Sequence, residues 1–284
     1  LMIGAEPPPL AHVERTPGAV VLAVKQLSLP RESPFGVDLE GISLNVHAGE
    51  VVGIAGVSGN GQRELLFALS GEDRRAPAAS ISIAGKPAGA LRPMRRRALG
   101  LHFVPEERLG RGAVPEMSLA HNLLLTRREA VGRMGWLRVN ALRAQSAGII
   151  ERFRVKASGP QAAARSLSGG NLQKYIMGRE IDAKPTLLIV SQPTWGVDVG
   201  AAAQIRAEIL ALRDAGCAVL VVSEELDELF ELSDRLHVIA KGQLSPSIDR
   251  RAATVQQIGQ WMSGLWHEEV QQALQEKESA HAAP

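Results

Sequence analysis

The stretch GVSGNGQRE, residues 56–64, follows the apolar run 51–55 and carries the glycine spacing G-x-x-x-x-G of a loop that cradles phosphate. Glycines after a strand let the backbone turn tightly and aim successive N–H groups at an anion, helped by the positive end of the following helix. Gly56, Val57, Ser58, Gly59, Asn60 and Gly61 would form that cradle. The motif ordinarily closes with Lys and then Ser or Thr, which handle phosphate charge and metal, but Gln62 and Arg63 stand in their places. By itself the stretch reads equally well as an ordinary glycine-rich strand-to-helix turn. It is not a dinucleotide fingerprint, because after Gly59 and Gly61 the third position holds Glu64.

About a hundred residues later, SLSGGNLQK (166–174) would offer a hydroxyl, backbone N–H groups and a positive dipole end to an anion at a helix start. Alone, it is more simply a glycine turn with a serine N-cap. It is followed, however, by LLIVSQPTWGVDVGA (187–201) and VLVVSEELDELFELSDRLHVIAKG (219–242). Together the four stretches are specific in order and spacing.

This combination resembles the nucleotide-binding domain of ABC transporters, over nearly the whole chain beyond an opening linker (1–18). The glycine loop, Gly56 through Arg63, then corresponds to the phosphate loop. Leu167, Ser168, Gly169, Gly170 and Asn171 correspond to the LSGGQ-type signature, and Gly196, Val197 and Asp198 to the D-loop. More closely, the chain is similar to the second nucleotide-binding half of bacterial importers that carry two halves on one polypeptide and serve simple sugars or nucleosides. The opening LMIGAE resembles the last residues of a first half, which fits the start at Leu1.

The resemblance implies an α/β fold: a P-loop NTPase (RecA-like) core with a mostly parallel sheet, an antiparallel β-subdomain and an inserted helical lobe. It implies ATP, held mainly at a partner's site, and Mg²⁺ with that partner site, weak or absent here. The implied partners are a first nucleotide-binding domain, transmembrane permease subunits and, indirectly, a solute-binding protein. The implied location is peripheral, on the cytoplasmic side of the bacterial inner membrane.

The departures from the family pattern fall together. Gln62 is neutral where the family's Lys faces the β- and γ-phosphates, and Arg63 has no acceptor for Mg²⁺ where the family has a hydroxyl. Ser191 and Gln192 stand where the Walker B strand should end in Asp and Glu, and Glu224 stands at the switch histidine. The Q-loop region reads FVPEER, with Glu106 or Glu107 near the usual Gln. Phosphoryl transfer depends on positioned charge and Mg²⁺, and losing one preorganised donor alone costs about 10²–10³ in rate. The expectation is a domain with no intact catalytic set, whose active contribution is Ser168, Gly169 and Gly170, closing over nucleotide on the partner's loop. Two rival readings remain: an active ATPase using Arg63 and Glu224 unconventionally, and a soluble ABC-type ATPase acting on nucleic acid or ribosomes.

The elements that must position these residues are legible as apolar runs. Short β-like runs recur at 20–24, 42–46, 51–55, 80–84, 100–104, 186–190, 218–222 and 235–240. Those at 51–55, 186–190 and 218–222 are apolar throughout, as in parallel strands covered on both faces. Between the later runs, GAAAQIRAEILALRDAG places Ile205, Ile209 and Leu212 on one stripe and ends at Gly216. The domain is expected over 19–265, with the helical lobe at about 105–183 where no comparable strand is found, and a C-terminal helix or tail over 266–284.

Composition excludes several classes. The 284 residues are 45% hydrophobic and 22% charged, with 32 Lys and Arg against 30 Asp and Glu, so no general pull toward nucleic acid exists. The basic run RPMRRR (92–97), in a chain with 4% aromatics, reads as a solvated helix face. No run approaches the roughly 20 apolar residues of a membrane span, and there is no secretory start, so a cytosolic chain acting at membranes through a partner is expected. The single cysteine, Cys217, suits a reducing compartment and reads as a buried, inert thiol. The seven histidines show no metal-ligand spacing. Phe35 resembles an adenine-stacking residue set out of register, so core packing is the expectation. Tyr175 reads as helix packing, and Trp195 as either interface packing or surface.

Overall fold

The computed structural model describes residues 16–127, 132–133 and 136–266. In chain order the elements are β1 (Val20–Leu29), β2 (Leu39–His47), β3 (Val51–Ala55), α1 (Gln62–Ser70), β4 (Ile81–Ile83), β5 (Lys86–Pro87), α2 (Pro93–Ala98), β6 (Leu101–Val104), α3 (Leu119–Leu124), β7 (Gly132–Arg133), β8 (Trp136–Leu137) and α4 (Val139–Arg152). There follow α5 (Gly169–Asp182), β9 (Leu187–Ser191), α6 (Val199–Asp214), β10 (Ala218–Ser223), α7 (Leu226–Leu232), β11 (Arg235–Ala240), β12 (Gln243–Leu244), β13 (Ile248–Asp249) and α8 (Val255–Met262). Most of the expected linker (1–15) and of the expected tail (267–284) lies outside the described residues.

Every β-like run of the sequence coincides with or overlaps a strand. Strands β3, β9 and β10 are buried along their whole length because they separate two apolar cores. Val51 and Ala55 of β3, Leu188 and Val190 of β9, and Val219 and Val221 of β10 enter one core, while Val52, Ile54, Leu187, Ile189, Leu220 and Val222 enter the other. With period-two alternation feeding two cores, no solvent face is left to require polar residues. The first core is completed by helices α3 to α8 and the second by α1 together with β1, β2 and β4.

Neighbouring strands β11, β3, β10, β9 and β6 are all parallel. Strands β12 and β13 add to β11 antiparallel. A separate antiparallel sheet has the order β2-β1-β4-β5. Between β6 and β9 the chain forms α3, α4, α5 and the short β7–β8 ribbon. Helix α6 buries Ile205 and Ile209, packs Leu212 partly, and is followed by Gly216 at φ +93°.

Helix α2 and its N-cap expose Arg92, Met94 and Arg95 as the sequence suggests but depart from a solvated face at Arg96. Arg96 is fully buried. Its guanidinium donates to the carbonyl oxygens of Leu69 (2.8 Å), Gly89 (2.7 Å), Leu91 (3.0 Å) and Ala68. The Ala68 and Leu69 carbonyls end α1, where no further turn can satisfy them, so Arg96 caps that helix from outside. Burial lowers the Arg96 pKa to about 10, with partial opposition from Asp73, which leaves it protonated at neutral pH. Cys217 is buried as the sequence suggests, and burial pushes its thiol up to about 12.

Candidate functional site

Strand register gathers the motifs. Ser223 pairs with Ala55, Val222 with Ser191, and Val104 with Val190, so β3, β10, β9 and β6 end along one edge. Ligands of open parallel sheets sit outside such carboxyl ends. The cleft there has a volume of about 520 Å³. Gly56, Ser58, Gly59, Gly61, Gln62 and Arg63 line it from the loop, Ser191 and Gln192 from β9, Ser223 and Glu224 from β10, and Glu106 and Glu107 from the segment after β6. Phe35 lines it from the β1–β2 connection and is 98% exposed, so the expected core packing is wrong. Glu32, Ser33, Gly36 and Val37 of the same connection also line the cleft, so the connection forms part of its wall.

Within the loop, Gln62 turns inward. Its Nε2 donates to the Val57 carbonyl (2.7 Å), and its Oε1 accepts from the Asn60 N–H (3.0 Å). The carboxamide thus consumes a backbone donor of the kind a phosphate cradle offers. Gly56 must be glycine for this packing, since a Cβ there would lie 2.7 Å from Gln62 Nε2 and 2.8 Å from the Ile239 side chain. Asn60 Nδ2 donates to the Val57 carbonyl (2.9 Å), while Asn60 Oδ1 and its carbonyl accept from the N–H groups of Lys241 (2.9 Å) and Gly242 (3.0 Å). The loop is therefore held by its own side chains, with Val57 exposed on the outer side.

The cleft is acidic. Arg63, Arg75 and Arg111 face Glu32, Glu64, Asp73, Glu106, Glu107 and Glu224. Arg75 pairs with Asp73 (2.6 Å), and Arg111 with Glu107 (2.9 Å) and Glu72. Arg63 has no ion pair among the described residues; its guanidinium lies 5.0 Å from the Phe67 ring centroid. Burial raises the Glu106 pKa, and the charges of Glu107 and Glu224 add to it. Burial would also raise Glu107, but its hydrogen bonds and the charges of Arg111 and Arg63 together outweigh that and lower it. Gln192, at φ +49°, accepts from Ser223 Oγ (3.2 Å) and the Glu224 N–H (3.4 Å), a neutral crossing between strand ends. A magnesium triphosphate does not fit this donor set: position 63 offers donors only, positions 191 and 192 offer no carboxylate, and the unpaired charge is mostly negative. Among the described residues, no group of three or more His, Cys, Asp or Glu side chains is placed to hold a metal ion.

Ser168 to Asn171 lie apart from that lining. Ser168 is the N-cap of α5, and Ser168 and Gly169 are exposed. Ser168 Oγ accepts from Asn171 Nδ2 (2.9 Å) and makes no capping bond, so first-turn N–H groups remain open to an anion. Leu167 packs partly against the first core. Beside this tip run Gly196 and Val197; a Cβ on Gly170 would lie 3.4 Å from the Gly196 carbonyl. Asp198 acts as the N-cap of α6, accepting from the Ala201 N–H (2.9 Å).

Sequence reasoning missed how α5 is anchored. Glu180, fully buried, accepts from Arg97 (2.7 Å), Arg179 (2.8 Å) and His102 (2.7 Å). Arg179 also donates to the Gly112 (2.9 Å) and Asn122 (3.3 Å) carbonyls. This cluster ties α5 to α2, β6 and the segment before α3. His102 inside the apolar run LHFV is its clearest sequence trace, whereas Arg97 is hidden in the basic run 92–97. Tyr175 is buried as expected, donating to the Leu119 carbonyl (2.6 Å).

Residues 39–195 match the family model described as ABC transporter. The chain is 41% identical over 250 residues to the nucleoside import ATP-binding protein NupA of Lactococcus lactis, covering 87% of this chain and 49% of that protein. It is 38% identical over 260 residues to the guanosine import ATP-binding protein NupO of Bacillus subtilis (90% and 50% covered). It is 35% identical over 249 residues to the ribose import ATP-binding protein RbsA of Halalkalibacterium halodurans (88% and 48% covered). The chain thus spans about half the length of the curated relatives it matches. Among solved structures, an ATP-binding subunit of an ABC transporter superposes with a TM-score of 0.68 at 20% identity, covering 86% of this chain and 99% of that one. A dimeric bacterial ABC transporter cassette gives 0.68 at 18% identity, covering 82% and 100%. These likenesses establish the fold: an ABC-type α/β domain with a mostly parallel mixed sheet, an antiparallel sheet and helices.

Proposed function

The chain belongs to the ABC transporter family of ATP-binding domains, and from that premise we propose that it is the degenerate ATP-binding domain of an importer for a sugar or nucleoside. Its own cleft binds nucleotide weakly and without magnesium, and its active contribution is Ser168 to Asn171, donated in trans. ATP and Mg²⁺ are held on the loop of a partner nucleotide-binding domain. Closure of the pair against the α5 tip moves permease subunits fed by a solute-binding protein, and hydrolysis on the partner side resets them. The domain works from the cytoplasmic face as a peripheral subunit. No helix of the described residues is long and apolar enough to cross a membrane.

The carrying observation is the contrast between two anion seats. The loop's Asn60 N–H is taken by Gln62 Oε1 (3.0 Å) in an acid-rich cleft, whereas the α5 tip is exposed, uncapped and free of carboxylates in its first turn. A polyphosphate approaching the first must displace a bonded side chain and face Glu106 and Glu224. Import by the relatives named above supports the sugar or nucleoside class.

Calorimetric titration of the chain with ATP, with and without Mg²⁺, tests the proposal. The expected result is a dissociation constant no tighter than about 1 mM (about −4 kcal/mol), unchanged by the metal. A micromolar site that requires Mg²⁺ would refute it.

A further inference from the structure

Arg108, in the segment after β6, reaches across to the signature. Its Nε donates to Gln173 Oε1 on α5 (3.1 Å), and its Nη2 donates to the Trp195 carbonyl. Its guanidinium also lies 5.3 Å from the centroid of the Trp195 ring, which is 55% exposed. Gln173 Nε2 completes the circuit by donating to the Pro193 carbonyl (3.0 Å). A Cβ on Gly169 would lie 2.7 Å from Arg108 Nη1, and a Cβ on Gly196 would lie 3.4 Å from Nη2. Both glycines therefore leave room for the same guanidinium. The planar fork of arginine suits this task, because it bonds two acceptors on different segments while stacking on a ring.

We infer that Arg108 is a positioning residue that clamps the signature tip of α5 to the Pro193–Gly196 turn, setting the direction in which Ser168 and Gly169 meet a partner's nucleotide. The inference rests on the proposed donation in trans. The clamp links three segments that no strand pairing joins at this point: the loop leaving β6, the first turns of α5, and the turn between β9 and α6. Glu106 and Glu107 precede Arg108 directly and line the chain's own cleft. Arg108 thus joins the segment that lines that cleft to the first turns of α5. The Trp195 ring serves as the platform of the clamp.

The test uses the assembled transporter carrying this chain, reconstituted with its membrane subunits, in which ATPase kcat and KM are measured for Arg108→Ala, Arg108→Lys, Gln173→Ala and the double variant. For Arg108→Ala, kcat should fall about 10- to 100-fold, the range typical of a lost supporting shell. KM for ATP should change by less than about threefold, because the nucleotide is held elsewhere. Arg108→Lys should recover little, since an ammonium lacks the fork. The double variant should be no worse than Arg108→Ala, as two halves of one contact are not additive. Parental kcat in Arg108→Ala, recovery by lysine, multiplicative loss in the double variant, or loss that tracks a fallen melting temperature would each overturn the clamp. Ser168→Arg in the same assembly separates the two ideas: normal turnover there removes donation in trans, whereas a dead Ser168→Arg beside a normal Arg108→Ala removes only the clamp.

Discussion

Ser168→Arg is expected to abolish solute uptake by the assembled transporter while leaving this chain's own fold and cleft intact. Ser168 is exposed at the tip of α5, and its hydroxyl meets Asn171 instead of capping the helix. Replacing it removes no backbone cap, so the folding cost should stay near the low end of cap losses, about 0.5 kcal/mol. The new side chain projects from the tip into the space where a partner's phosphates would be received. Removal of one preorganised donor costs about 10²–10³ in turnover, and an obstructing side chain adds to that. Uptake of labelled solute into proteoliposomes, beside a melting curve of the isolated chain, gives both readouts. A transport rate equal to the parent's would eliminate the proposed role of the signature.

The second large effect concerns stability. Glu180→Ala should destabilise the domain by about 3–5 kcal/mol, the usual consequence of removing one member of a buried ion cluster. The reason is what remains: Arg179 and His102 stay buried, and Arg97 nearly so, without the carboxylate they share. At about 2–4 °C per kcal/mol for a domain of this size, the melting temperature should drop by roughly 10 °C. Burial alone would raise the Glu180 pKa, but the charges of Arg179 and Arg97 and the contact with His102 reverse this and hold it far below the ordinary 4.5. A depressed folded pKa contributes stability above the unfolded value, and that contribution fades as pH falls through the folded one. The melting gap between the parent and Glu180→Gln should therefore be full at pH 7 and narrow below the unfolded-state value of 4.5. A gap that widened with acid, measured by calorimetry from pH 7 to 3, would contradict the assigned network.

Both effects meet in α5. Its first turn carries the tip proposed to meet a partner's nucleotide, and its last turns carry the ion cluster that fastens it to β6 and α2. Weakening the far end is expected to loosen the near end, so Glu180 variants should lose turnover and stability together. Ser168→Arg should separate them.

The sequence by itself determined the sheet and the chemistry of single positions. Apolar runs at 51–55 and 218–222 read as strands covered on both faces, because burial on two sides removes every need for polar alternation. The glycine loop after β3 and the Ser-Gly-Gly start of α5 were readable because each spans one turn at the end of one element. Only the tertiary structure decided which way side chains point and what they meet. Gln62 looked like a missing cation and proved to be a bonded occupant of its own loop. Arg96 looked like solvated charge and proved to be the cap of a distant helix, and Phe35 looked like core and proved to be cleft wall. Arg108 and Trp195 lie 87 residues apart, and Arg97 and Glu180 lie 83 apart. Such contacts depend on how β6 lies beside β9 in the parallel register, which is set by core packing over the whole sheet and leaves no local periodicity in the chain.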